Sequence, residues 1–243
     1  MANPINASTP ASQPPPDALP AVNASLIDKP AEEVLAYAFG QYWPSIILAC
    51  SFGAEDVVLL DMMMRLNPEA QLFYLDTDFL FPETYEVRDR LIAKYRLRPE
   101  QIIRVKPQLT PEEQARQYGD ALWAREPDLC CRLRKVEPLE QMLKPYAAWI
   151  TGIRREQSPT RANAALIEWD RQFHLVKVNP LAYWSWHDVW TYIKAHDVPY
   201  NVLHDRNYPS IGCTHCTAPV APGDDPRSGR WKHFAKTECG LHR

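Results

Sequence analysis

Ile46-Ile47-Leu48-Ala49-Cys50 runs directly into Ser51-Phe52-Gly53-Ala54-Glu55-Asp56, and this junction decides the fold. An unbroken apolar run without polar alternation marks a strand buried on both faces, as in parallel sheets covered by helices. Ser51 to Asp56 then reads as a turn and Val57 to Leu66 as a helix. Working outward, the unit repeats. Leu72-Phe73-Tyr74-Leu75 reads as a second strand ending in Asp76-Thr77-Asp78, and Pro82-Glu83 opens a helix because proline suits a first turn. Ile102-Ile103-Arg104-Val105 is a third strand. Thr110-Pro111-Glu112-Glu113 supplies a hydroxyl cap and an acidic first turn for the next helix. Ala148 to Gly152 and Phe173 to Val178 read as the fourth and fifth strands. Upstream, Ala31 to Gly40 carries apolar residues at helical spacing. Downstream, Ser185 caps a helix reaching His196, with Trp186, Val189, Trp190 and Ile193 on one face. The alternation predicts an α/β fold, a parallel sheet flanked by helices, with ligands beyond the carboxyl ends of the strands.

Three stretches divide the 243 residues, which suffice for one good core. Residues 1–28, with Pro14-Pro15-Pro16, bury too little apolar surface to offset ordering entropy and are expected to form a disordered lead-in. Residues 29–205 form the α/β domain. Residues 206–243, rich in Pro, Gly, Asp and Arg, are expected to lie over the sheet as a tail rather than a second domain. No fixed-period repeat is visible. A net charge of −3 gives no global attraction to nucleic acid or a membrane surface, so an anionic ligand needs local cations. The apolar runs fall short of membrane-spanning length, and the N-terminus lacks the pattern of a secretory signal. A cytoplasmic protein is therefore expected, and its six cysteines read as metal-binding or catalytic rather than as a disulfide framework.

Several groups stand where chemistry belongs. The backbone N–H groups of Ser51 to Asp56 can cradle an anion at a helix N-terminus, or the stretch is an ordinary capped turn. Asp76 and Thr77 either hydrogen-bond a base or ribose or cap the following helix. Thr151-Gly152-Ile153-Arg154-Arg155-Glu156 leaves a buried strand with two arginines, which suit phosphate or sulfate unless they are solvated or salt-bridged. Cys130-Cys131 with Cys213-x-x-Cys216 provides four thiolates for zinc or an iron–sulfur cluster. Adjacent cysteines must splay apart, which a larger cluster tolerates better than one small ion, so [4Fe–4S] is favoured. Lys135, just after the tandem pair, can offset thiolate charge or reach an anionic substrate. Cys50 reads as a small buried hydrophobe. Cys239 has no partner and sits among Lys232, His233, Lys236 and His242; such cations favour the thiolate, so it reads as a nucleophile rather than a stray cysteine.

At these residues the chain resembles the assimilatory sulfonucleotide reductases, over about residues 45 to 243, and within them the adenylyl-sulfate (APS) reductases. Ser51 to Asp56 resembles the family's modified phosphate loop, which implies an adenine nucleotide alpha-hydrolase-like fold related to the ATP pyrophosphatases. Leu75-Asp76-Thr77 with Phe81-Pro82-Glu83-Thr84 is similar to its nucleotide-binding signature, and Thr151 to Ser158 to its arginine loop. Lys236-Thr237-Glu238-Cys239-Gly240-Leu241-His242 resembles the motif carrying the catalytic cysteine. Cys-Cys with C-x-x-C resembles the members that use APS and hold a [4Fe–4S] cluster; members acting on the 3′-phosphorylated nucleotide (PAPS) typically lack these cysteines, although some cluster-containing members accept both. Asp78 departs from the family pattern, where many relatives have glycine.

The resemblance implies a substrate site of Ser51, Gly53, Glu55, Leu75, Asp76, Thr77, Lys135, Gly152, Arg154, Arg227, Arg230 and His242, with Cys239 catalytic. It implies attack by Cys239 on the sulfur of APS, release of AMP, and an S-sulfocysteine from which thioredoxin releases sulfite, in sulfate assimilation for cysteine biosynthesis. The chain leaves no room for a fused redox domain after His242, so the donor is expected to be a separate protein, and a homo-oligomer is the expected assembly. A PAPS or dual-specificity reductase is the alternative enzyme. A nucleotide-binding iron–sulfur sensor or zinc module without turnover is the non-enzymatic one.

Overall fold

The computed structural model describes residues 18–232, 234, 236 and 238–242. Its strands are β1 (Ile46–Ala49), β2 (Leu72–Leu75), β3 (Ile102–Val105), β4 (Ala148–Ile150), β5 (Ile167–Asp170) and β6 (Leu175–Val178). They form one six-stranded sheet in the order β3-β2-β1-β4-β6-β5. Every neighbouring pair is parallel except β5–β6. The register sets Leu48 beside both Leu72 and Ile150.

Successive side chains of a strand point to opposite faces, and both faces here are dry. Ile46 and Leu48 join Leu72, Tyr74, Ile150 and Val176 in one apolar cluster with helices α1 (Leu19–Leu26), α2 (Ala31–Tyr42), α3 (Ala54–Leu66), α4 (Pro82–Tyr95) and α9 (Trp186–Ala195). Ile47, Phe73, Trp149 and Leu175 point the other way, onto Leu139 and Leu143 of α8 (Glu137–Leu143). This is why the β1 run shows no polar alternation. Asp61 of α3, buried, accepts hydrogen bonds from Tyr95 at 2.6 Å and Tyr192 at 2.7 Å, which ties α3 to α4 and α9.

The expected α/β sheet flanked by helices is present, with one refinement at its edge, and one other expectation is corrected. The sheet is mixed, because Ile167-Glu168-Trp169-Asp170 adds an antiparallel edge strand through a tight hairpin. Asp170 Oδ1 accepts from the backbone N–H groups of Gln172 at 2.9 Å and Phe173 at 3.1 Å, and His174 takes φ 57°. Part of the expected lead-in is ordered: α1 buries Leu19 and Leu26. Its Asn23 donates to Ile167 O at 2.7 Å and accepts from Ile167 N at 3.0 Å, covering the open edge of β5 with a side-chain amide. Residues 1–17 of that stretch lie outside the described residues. Among the described residues, no helix is long and apolar enough to cross a membrane.

From β1 the chain builds β2 and β3 on one side, then crosses to β4 on the other. A crevice opens at such a reversal, at the carboxyl ends of the strands. Between β3 and β4 lie α5 (Pro111–Tyr118), α6 (Leu122–Arg125) and α7 (Pro127–Cys131), then a π-helical turn, Arg132–Val136, that leads into α8. Pro138 has no N–H for the carbonyl of Arg134, and the turn widens so that Glu137 N bonds Arg132 O. The tail folds back over the crevice: Leu80 pairs with Cys213, Thr217 with Arg230, and Trp231, buried, donates its N–H to Cys216 O at 3.2 Å.

Candidate active site

The crevice holds a cavity of about 380 Å³ at the ends of β1, β2 and β4. Ser51, Gly53 and Glu55 line it from the β1 loop, Leu75 and Thr77 from β2, and Gly152 and Arg154 from β4. Lys135, Arg227, Arg230, Cys239 and His242 line it from the π-turn and the tail. The exception is Asp76, which is fully buried and does not line the cavity. Its carboxylate accepts from Tyr85 at 2.7 Å, from Arg104 Nε at 2.6 Å and from Asp78 N at 3.0 Å. Burial would raise its pKa, but these bonds carry it below the ordinary value. Asp76 braces the strand end from beneath.

At the β1 loop, Phe52 takes φ 61° and packs on Tyr74 with ring centroids 5.3 Å apart. The N–H and Oγ of Ser51 both donate to Asp56 Oδ2 at 2.6 Å, so the helix N-terminus already faces an internal carboxylate. A Cβ on Gly152 would fall 2.3 Å from Asp56 Oδ1 and 2.8 Å from Glu55 Cβ; only glycine lets the two loops meet. Arg154 is buried and held by Glu55 at 2.9 Å and Glu156 at 3.3 Å, with its guanidinium 5.4 Å from the Trp186 ring centre.

Asp56 carries a pH signature. Burial, with some help from Glu55, pushes its carboxyl up to about 6 from 3.8, against the Ser51 hydrogen bonds and Arg161. The folded protein then binds this proton more tightly than the unfolded chain. Stability from this group is full below pH 3.8 and falls as pH rises to about 6. Asp56→Asn is expected to remove that loss, at most about 3 kcal/mol. Urea midpoints of variant and wild type across the window check this; a constant difference between them would refute it.

Asp78 stands in the left-handed region, φ 59°, a conformation glycine takes freely and aspartate tolerates. It points away from the cavity, accepting from Lys106 at 2.6 Å and Arg134 at 2.8 Å. Asp78 is not among the residues that line the cavity.

Cys130, Cys131, Cys213 and Cys216 line one small second cavity with Phe79, Trp123, Arg134, Lys135, His215 and Trp231. Burial raises the Cys130 thiol to about 12, with further raising from Cys131, Cys213 and Cys216. Burial also raises Cys131, to about 11, although Lys135 opposes it. Ionised together these thiols would repel one another, a charge that a bound metal centre would offset. Thr77 Oγ1 lies 3.3 Å from Cys213 Sγ, and Trp231 Nε1 is buried beside the four sulfurs with no hydrogen-bond partner among the described residues. Among the described residues, no three His, Cys, Asp or Glu side chains converge as a single ion's ligands would. The hydroxyl and indole N–H beside the sulfurs suit a multi-iron cluster, whose sulfurs accept such donors. Lys135 lines both cavities. Burial opposes its charge, but Cys213, Cys239 and Cys131 outweigh that and hold its pKa above the ordinary value.

Cys239 is half-buried at the cavity wall. His242, expected as a cation beside it, is corrected: burial, then Arg161, Lys177 and Arg227, push its pKa well down, so the imidazole is neutral. It stacks on Trp149 at 5.6 Å. Lys232 is exposed, Lys236 reaches Asp128, and His233 lies outside the described residues. Sequence reasoning missed Arg161, Gln157, Glu238, Trp186 and His204, all on the cavity wall. Gln157 and Glu238 stood inside quoted motifs without a role of their own. Arg161 follows the arginine loop with no spacing signal at all.

Residues 45–219 match the phosphoadenosine phosphosulfate reductase domain. The chain is 50% identical over 223 residues to the adenosine 5′-phosphosulfate reductase of Halalkalibacterium halodurans, spanning 91% of this chain and 95% of that one. It is 53% identical over 215 residues to the adenosine 5′-phosphosulfate reductase of Staphylococcus haemolyticus, spanning 88% and 87%. A crystal structure of phosphoadenylyl-sulfate (PAPS) reductase from Candida auris, a phosphate complex, matches with TM-score 0.74 and 31% identity, over 89% of this chain and all of that chain. The chain belongs to the phosphoadenosine phosphosulfate reductase domain family, enzymes that act on sulfur by oxidation and reduction. Within it, the chain groups with the adenosine 5′-phosphosulfate reductases.

Proposed function

We propose that this protein reduces adenosine 5′-phosphosulfate to sulfite and AMP, with Cys239 as the nucleophile and reduced thioredoxin as the donor. One observation carries the reading: a single cavity brings the Cys239 thiol together with Lys135, Arg154, Arg227 and Arg230 at the strand ends. The adenosine lies against Leu75, Thr77 and the β1 loop. The phosphosulfate lies among Lys135, Arg227 and Arg230, whose charge shields the approaching thiolate from the anionic sulfuryl group and steadies AMP as it leaves. The thiolate of Cys239 bonds to sulfur as the sulfur–oxygen bond to AMP breaks, leaving S-sulfocysteine. One thioredoxin thiolate then attacks Sγ of Cys239 and sulfite departs with the bonding pair. The second thioredoxin thiol resolves the mixed disulfide, returning the Cys239 thiolate and oxidised thioredoxin.

Cys130, Cys131, Cys213 and Cys216 would hold the [4Fe–4S] cluster. When bound, the cluster supplies a fixed centre that fastens the tail to α7 and sets the field at Lys135; the thiols themselves supply both electrons. The protein acts in cytoplasmic sulfate assimilation towards cysteine, without membrane or nucleic-acid partners, as a homo-oligomer.

The test is direct. With APS and no thioredoxin, the tryptic peptide from Thr237 to Arg243 is expected to gain one sulfonate on Cys239. AMP release without that adduct would overturn the covalent step. Higher turnover of PAPS than of APS would overturn the substrate, and a colourless protein with stoichiometric zinc would overturn the cluster.

A further inference from the structure

The residue before the nucleophile occupies a receptor of its own. Glu238 Oε1 accepts from Arg161 Nε at 2.9 Å, Thr160 Oγ1 at 3.2 Å and Ser158 Oγ at 3.3 Å. Its Oε2 accepts from Arg161 Nη2 at 2.8 Å and Arg227 Nη2 at 3.2 Å. A carboxylate has about four lone-pair sites, so this one is saturated. The Glu238 and Arg161 side chains are each only 11% exposed, so the paired bonds form largely out of water, where a two-pronged Arg–carboxylate contact fixes geometry best. Three of the donors, Ser158, Thr160 and Arg161, come from one short segment, which makes that segment a socket.

The socket connects to the loops that shape the cavity. Arg161 Nη1 donates to Gln157 Oε1 at 2.6 Å, and Gln157 Nε2 donates to Gly152 O at 3.1 Å and Glu55 Oε1 at 3.0 Å. Glu55 in turn accepts from Arg154 at 2.9 Å. A continuous polar chain thus runs from the tail to both loops of the crevice. On the other side of the thiol the tail is held more lightly: Gln172 Nε2 donates to Gly240 O at 3.1 Å and His242 stacks on Trp149.

We propose that Glu238 is a positioning residue for Cys239: its carboxylate plugs into the socket of Ser158, Thr160 and Arg161 and so presents the thiol to the bound substrate. The proposal rests on Cys239 being the attacking thiol. It gives Arg161, with a second contact from Arg227, the task of holding the protein's own carboxylate. Burial opposes the charge on Glu238, but the Arg161 hydrogen bond and the Arg161 and Arg227 charges hold its pKa below the ordinary value, so the plug is ionised at neutral pH. A rival role is conceivable on the same contacts: the carboxylate could screen Arg161 and Arg227 and weaken substrate binding. The two roles part at saturating APS, where loss of a screen leaves adduct formation as fast or faster and loss of the plug slows it.

Two readouts separate them. In single turnovers at saturating APS, without thioredoxin, Glu238→Ala and Glu238→Gln are expected to form the Cys239 adduct roughly tenfold to a hundredfold more slowly, the worth of bonds to a charged group. KM for APS is expected to stay level or fall, because the arginines remain. Without nucleotide, iodoacetamide is expected to alkylate Cys239 in both variants roughly tenfold faster than in wild type, the socket no longer holding the thiol at the wall. Ser158→Ala combined with Thr160→Ala, which reaches the same carboxylate from the socket side, is expected to move both readouts the same way by a smaller factor. Adduct formation at or above the wild-type rate, or unchanged alkylation, in the Glu238 variants or in the socket pair would overturn the proposal. Absence of any adduct in wild type would overturn the proposed reaction instead, and alkylation would still decide whether Glu238 positions the thiol.

Discussion

Cys239→Ser is expected to stop sulfite formation, by at least roughly 10⁴-fold, while AMP binds as in wild type; loss of a nucleophile in other enzymes costs as much or more. A serine hydroxyl at neutral pH is almost wholly protonated and so a far weaker nucleophile than a thiolate. Burial and the neighbouring cations make His242 a weak base, and its ring is stacked on Trp149. Even a sulfated serine would offer the donor thiolate no sulfur leaving path to a mixed disulfide. The proposed nucleotide contacts come from the β1, β2 and β4 loops that line the cavity, and the substitution alters none of these loops. Isothermal titration with AMP and a sulfite assay check the two halves. Sulfite release within an order of magnitude of wild type would remove Cys239 from the reaction.

Arg134→Met is expected to cost about 3–5 kcal/mol, the range for removing one partner of a buried charged network. The side chain is 2% exposed. It donates to Thr77 O at 2.7 Å, Leu109 O at 3.3 Å, Gln114 Oε1 at 3.0 Å and Asp78 Oδ2 at 2.8 Å, and its guanidinium carbon lies 4.5 Å from the Phe79 ring centre. Methionine fills the space but leaves the buried Gln114 amide and the Thr77 carbonyl without their donor. Against a typical total of about 5–15 kcal/mol, the loss is large. Asp78→Gly should be less harmful on the Arg134→Met background than alone, because the carboxylate has then already lost one of its two cations. Urea unfolding of the single and double variants measures both effects. A cost below about 1 kcal/mol, the net worth of one ordinary hydrogen bond, would mean that water replaces the guanidinium.

The central strands were legible because burial on both faces leaves a run such as Ile46 to Cys50 with no polar position. β5 escaped because Ile167-Glu168-Trp169-Asp170 is an edge strand with two acids, and its hairpin is closed by a side-chain carboxylate rather than by glycine. α1 escaped for a tertiary reason: a polar Asn23 finds its partners at Ile167, 144 residues away. The four cysteines and Cys239 stand out by residue type, and the structure puts them on the walls of the two cavities. Protonation and pairing did not. His242 is neutral only because it is buried near Arg161, Lys177 and Arg227, and Asp76 is a brace only because Tyr85 and Arg104 reach it. Arg161 and Glu238 lie 77 positions apart, and nothing local in either segment names the other.

Trp231 has a kinetic consequence. It is buried and bonded to Cys216, and Cys239 comes only eight residues later. Fully extended, that span reaches about 28 Å. A thiol released from the wall therefore stays at an effective concentration of roughly millimolar around its own cavity. On the proposed reaction, the redox partner would dock within that radius, on the face that carries the crevice, and the next nucleotide would meet a thiol that has only to swing back.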